Sequence, residues 1–120
     1  MKQFQQEATG WKRVLAFLLQ ENAYLKMRLS DVVSNNGMSD DRLAIAEDYQ
    51  AKLIRNEEII NLMRTDITAL ESQLTRACNE DRLETPLELK QKDLRREFRE
   101  VVVAFNDLKF NFNDYIADNY

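Results

Sequence analysis

The side chains in this 120-residue sequence that could do chemistry are carboxylates, one thiol and a run of basic groups. Their spacing decides what chemistry that would be. Glu57 and Glu58, like Asp40 and Asp41, are adjacent in sequence. On a helix such neighbours point in divergent directions and form no acid–base dyad. Asp114 and Asp118 share one helical face and Asp93 and Glu97 another, and both pairs read as solvated surface. A di-metal centre in a helical bundle needs inward glutamates and Glu-x-x-His units. With no histidine and one cysteine, the usual zinc ligand sets are missing as well. Cys78 has Arg76 and Arg82 nearby, but also Glu80 and Asp81, and no histidine to act as its base. It reads as a small half-buried filler. Glycine-rich phosphate loops, nucleophile elbows and HExxH motifs are all missing from the sequence. The expectation is a protein that is not an enzyme and uses neither cofactor nor metal.

The densest basic run is Lys90, Lys92, Arg95, Arg96 and Arg99, with Asp93, Glu97 and Glu100 woven through it. Acids standing three or four residues from bases make a salt-bridged helix surface. No aromatic stacking platform accompanies the run. Net charge is −4, with residues 1–30 summing to about +3 and residues 31–58 to about −4, so no basic stripe marks a nucleic-acid footprint. Nucleic-acid association through Arg95, Arg96 and Arg99 is the alternative reading, and a small-molecule-binding or catalytic bundle ranks below it. No stretch reaches the roughly 18 apolar residues of a membrane span, and the opening MKQFQQEATG is too polar for a signal peptide. A cytoplasmic protein without membrane partners is expected.

The elements that position these groups follow from punctuation and periodicity. Two glycines and one proline predict a few long elements with short connections. Apolar residues then recur at alternating steps of three and four. The first stripe is Phe4, Ala8, Trp11, Leu15, Leu18, Asn22, Leu25, Leu29 and Val32. Gly10 predicts a frayed or bent start to this helix. The run SNNGMS stops it, and Ser39 with Asp40 and Asp41 starts the next. The second stripe runs Ala46, Tyr49, Leu53, Asn56, Ile60, Met63, Ile67, Leu70, Leu74 and Ala77. Thr85-Pro86-Leu87-Glu88 signals a third helix. Its stripe is Leu87, Gln91, Leu94, Phe98, Val101, Phe105, Leu108, Phe112 and Tyr115. The fold class is therefore all-α: an up-down-up antiparallel three-helix bundle with coiled-coil-like heptad packing, in one domain, with helices near residues 3–34, 40–82 and 86–117.

Folding each helix back on the last sets a register. Leu18 meets Ile60 and Asn22 meets Asn56, so two buried amides share a layer and fix alignment. Met63 meets Phe105, Trp11 joins Ile67 and Val101, and Tyr120 falls level with Asp48. The helix 1–helix 2 tip then overhangs the third helix, leaving Val32, Val33, Leu43, Ile45 and Ala46 uncovered within an acidic rim of Asp31, Asp40, Asp41, Glu47 and Asp48.

Some large apolar residues lie outside every stripe. Phe17 and Tyr24 stand seven apart on helix 1 with Met27 beside them, and Leu89, Val103 and Phe110 line the outer face of helix 3. A repeated register of such residues predicts a second contact surface. The expected function is protein–protein interaction or scaffolding, as a homodimer or with another protein. Phe17, Tyr24, Val33, Leu43, Ile45, Val103 and Phe110 are the candidate contact residues.

Overall fold

The computed structural model describes residues 2–37, 39–79 and 85–120. The side chains of Lys2, Cys78, Asn79 and Thr85 are outside that description, so the expected roles of Cys78 and of Thr85 as a cap lie beyond it. Three helices make up the described chain: α1 (Lys2–Asn35), α2 (Asp40–Asn79) and α3 (Thr85–Asn119). They pack side by side into a rod of 63 × 19 × 17 Å. Its length matches α2 itself, whose 40 residues rise about 60 Å at ~1.5 Å each.

Local chemistry accounts for the first turn of the chain. The Asn36 side-chain amide donates to the Val32 carbonyl at 2.9 Å, satisfying an acceptor in the last turn of α1. Ser39 Oγ accepts from the Arg42 backbone N–H at 3.4 Å, and the Leu43 N–H donates to the Ser39 carbonyl at 2.9 Å. Ser39 is thus the cap of α2, and Asp40 and Asp41 sit in the first turn, where the helix dipole favours carboxylates. α1 runs unbroken through Gly10, around which there is open space. The fraying expected there does not occur, and the helix is held on both sides of Gly10 by buried Ala8 and half-buried Trp11.

The core is built from the three stripes. Every seam residue from Phe4 to Val32, Ala46 to Ala77 and Leu87 to Tyr115 is buried or half-buried. Leu15, Leu53, Ile60, Ile67, Phe105 and Phe112 are fully buried. Each such side chain contributes about 1.5–3 kcal/mol relative to exposure, which is what holds long helices of modest intrinsic stability together.

Among the described residues, ion pairs flank two of the three helix junctions. Between α1 and α2, Lys12 pairs with Glu71 and Lys26 with Glu57. Between α1 and α3, Arg95 grips both oxygens of Glu7 at 2.8 Å, and Lys109 reaches Glu21 at 2.7 Å. Both α1–α3 pairs join residues 88 apart in sequence, so the two helices run in one direction at constant offset.

The α2–α3 register differs from the one the sequence suggests. Met63 lines a hollow with Val101, where Phe105 was expected, and Trp11 stacks on Phe98 at 5.2 Å between ring centres. At the far end Tyr49 packs against Phe112 and Tyr115, and Arg42 lies over the Tyr120 ring at 5.9 Å. α3 therefore sits roughly one turn, about 5 Å, further along α2 than expected. The expected α2 end near residue 82 lies outside the described residues, and the shift rests on these contacts alone. With that shift Tyr120 reaches Arg42, past Asp48, and the overhang of the α1–α2 tip is shortened.

Candidate protein-binding surfaces

The seven residues singled out for protein contact are spread over all three helices. Phe17 and Tyr24 are 56% and 55% exposed and line one outer edge of α1, with exposed Met27 one turn beyond. Val103 and Phe110 stand on the outside of α3, and Phe110, at 65%, is the most open large apolar side chain described. Leu43 and Ile45 are exposed near the start of α2, while Val33 is half-buried against the core.

The tip retains a hollow of about 460 Å³ between α1 and α2, whose apolar walls are Met27, Leu29, Val33, Leu43 and Ala46. Ala46 is buried and Val32 is half-buried, so the uncovered surface is smaller than the sequence register implied. The other side of the tip is filled by an aromatic cluster. Tyr49 and Tyr115 stack at 4.8 Å, the Tyr49 hydroxyl donates to the Asn111 carbonyl at 3.3 Å, and Tyr115 and Tyr120 share a hydrogen bond of 3.2 Å. Burial, reinforced by that bond to Tyr120, pushes the Tyr115 hydroxyl up to about 12.

Asn22 and Asn56 lie side by side in the core, 1% and 8% exposed. Asn22 Nδ2 donates to the Leu53 carbonyl at 2.9 Å, and Asn56 Nδ2 donates to Asn22 Oδ1 at 3.5 Å. The first bond is well made and the second is long. The pair is dry on the Asn22 side only, because Asn56 also lines the groove between α2 and α3.

Of the basic candidates, Arg95 is committed to Glu7, and the hydrogen bonds between them hold the Glu7 carboxyl below its ordinary value and the guanidinium above its own. Arg96 lies 3.6 Å from Asp93 and 3.8 Å from Glu100 on its own helix. Arg99 is exposed. The three do not converge. Among the carboxylates, Glu57 is bound to Lys26, Asp114 and Asp118 are exposed, and no group of three metal-capable side chains occurs among the described residues. No helix, among the described residues, is long and apolar enough to cross a membrane.

One feature had not been singled out. The α2–α3 junction carries two adjoining hollows of about 330 and 290 Å³ that share Asp66 and Glu97. Ile59 and the 63%-exposed Leu62 open onto the larger. Its signal in the sequence was available: Asp66 and Glu97 each immediately precede a seam residue, Ile67 and Phe98, so both flank the seam. No family model matches this chain, and no curated protein or solved structure is similar enough to it to count as a match.

Proposed function

We propose that this chain is a non-catalytic interaction module whose outer helix faces bind protein, in the first instance a second copy of itself, with heptad packing inside the bundle. The observation that supports this reading is the row of large apolar side chains, Phe17 with Tyr24 and Val103 with Phe110, each pair seven residues apart and all more than half exposed. Their own bundle makes no use of them, and water-facing rows of this kind are where helical proteins meet partners. The apolar hollow at the α1–α2 tip offers a further surface. The inward-facing side chains are apolar apart from the two asparagines and half-buried Gln91, a poor lining for a catalytic pocket.

The test is sedimentation equilibrium at tens of micromolar, on the wild type, on Val103→Ser/Phe110→Ser and on Leu43→Ser/Ile45→Ser, with helicity followed by circular dichroism. The wild type should exceed the chain mass of 14.2 kDa. A variant that lowers the mass while keeping its helicity identifies the face in use. A wild type that stays at chain mass removes self-association from the reading.

A further inference from the structure

The α2–α3 junction differs from the other two in its electrostatics. Where α1 meets its neighbours, opposite charges face each other: Lys12 with Glu71, Lys26 with Glu57, Glu7 with Arg95 and Glu21 with Lys109. Along α2–α3 the two shared hollows are walled instead by Asp66 and Glu97, which form no ion pair among the described residues. Glu100 borders the larger hollow and Asp93 the smaller, each near Arg96 on its own helix. Lys90, the one cation among the described residues to line either hollow, stands at one end, bound to Gln73 at 3.3 Å. The floor is apolar, with Met63 and Val101 in one hollow and Leu70 and Leu94 in the other. Asn56 opens onto it too. The residue is more than nine-tenths buried, its Nδ2 is used by Asn22, and its Oδ1 accepts no hydrogen bond among the described residues. Since no buried polar side-chain atom lacks a partner, that oxygen must be reachable from the groove. An apolar channel, a free acceptor in its wall and the uncompensated carboxylates of Asp66 and Glu97 fit an amphipathic helix with basic flanks.

Such a helix face exists on this chain. Arg13, Phe17, Gln20, Tyr24 and Met27 follow each other at steps of four and three, forming a second stripe on the outside of α1. All five are exposed, as is Arg28 beside Met27. No acid lies on this stripe between Arg13 and Arg28; the intervening Glu21 is turned to Lys109. The spacing agrees as well. Phe17 and Tyr24 are two turns apart, about 10 Å, and the centres of the two hollows are separated by roughly two turns of α2.

We infer that the α2–α3 groove of one copy receives the outer stripe of α1 from a second copy, Phe17 and Tyr24 seated in the two hollows and Arg13 and Arg28 answering the groove carboxylates. This rests on, and sharpens, the reading of the chain as a self-associating module. Stripe and groove are different surfaces, so the contact is head-to-tail and each bound copy presents a fresh groove or stripe to the next, giving a ring or a growing row.

Two variants test it: Phe17→Ser/Tyr24→Ser, which keeps the groove, and Asp66→Lys/Glu97→Lys, which keeps the stripe. All four positions lie outside the buried seams, and circular dichroism verifies that each variant remains helical. Alone, each should sediment at chain mass under conditions where the wild type assembles. Mixed, they should form a 1:1 species of twice the chain mass and nothing larger, since each supplies the surface the other lacks. Wild-type assembly should also weaken with added salt. A mixture that stays at chain mass, or a variant that alone assembles like the wild type, overturns the inference. In the latter case the wild type still self-associates, so the broader reading survives through α3 or the tip. A wild type that is single while a basic amphipathic peptide fills the groove also overturns it, and puts a foreign helix in place of the second copy.

Discussion

Replacing Asn56 by leucine should destabilise the bundle, whereas replacing Asn22 as well should restore it. The asymmetry comes from burial. In Asn56→Leu, Asn22 keeps its 2.9 Å bond to the Leu53 carbonyl but loses the donor to its Oδ1, at a site only 1% exposed. No water reaches that oxygen, so the orphaned acceptor costs about 1–2 kcal/mol, the lower part of the usual range because the lost bond is long. The added apolar burial offsets part of this, and the larger side chain costs about as much again through overpacking. In Asn22→Leu the orphan is Asn56 Nδ2, and because the Asn56 side chain borders the groove its amide can turn to water, so the polar penalty there is smaller. The double variant leaves no orphan, and apolar replacement of both members of a buried polar pair is commonly neutral or stabilising. The double-mutant cycle should therefore show the pair more stable together than the two single changes predict, by about 1–2 kcal/mol. Urea unfolding followed through Trp11 reads this directly, since the chain has one tryptophan and it is stacked on Phe98. With a slope of about 2 kcal/mol/M, the coupling corresponds to roughly 0.5–1 M in midpoint. Single effects that simply add to the double, within about 0.5 kcal/mol, would refute the shared layer.

The Glu7–Arg95 pair should stabilise by up to about 1 kcal/mol, since both side chains are partly exposed. Glu7 is held below its ordinary value of 4.5, so this contribution is present at neutral pH and is lost as pH falls below 4.5 through the lowered value. Glu7→Gln should remove that acid limb from a stability–pH curve, and an unchanged limb would contradict the pairing. Tyr115 is raised from 10.0 to about 12, so stability present below pH 10 should fall as pH rises through about 12, and absorbance titration should show Tyr115 ionising late. In a Cys78→Ser background, Gln73→Cys and Lys90→Cys should be bridged by a short bis-thiol reagent, because those side chains are hydrogen-bonded. Failure to cross-link would overturn the α2–α3 register.

What could be read from the sequence was what depends on helix periodicity alone. The three stripes, the Ser39 restart and the Asn22–Asn56 layer all follow from steps of three and four and from cap chemistry, which are local. The α1–α2 register was legible because SNNGMS confines that turn closely. The α2–α3 register was not, because residues 78–84 carry no glycine or proline to mark where α2 stops, and any misplacement of that turn moves every pairing on α3 with it. The groove carboxylates were missed for a related reason. Asp66 and Glu97 look like ordinary solvated acids until the register shows that both line one junction, without a cation between them. Arg95 looked like part of a basic surface for the same reason, since its partner Glu7 lies on a helix 88 residues away.

The most direct test of the account is the mass of the wild-type chain in solution. Sedimentation equilibrium at tens of micromolar and low salt should return a mass above 14.2 kDa that falls toward that value on dilution. A mass of 14.2 kDa at every concentration, with the helices intact, would contradict the claim that the outer faces of α1 and α3 bind a second copy of the chain.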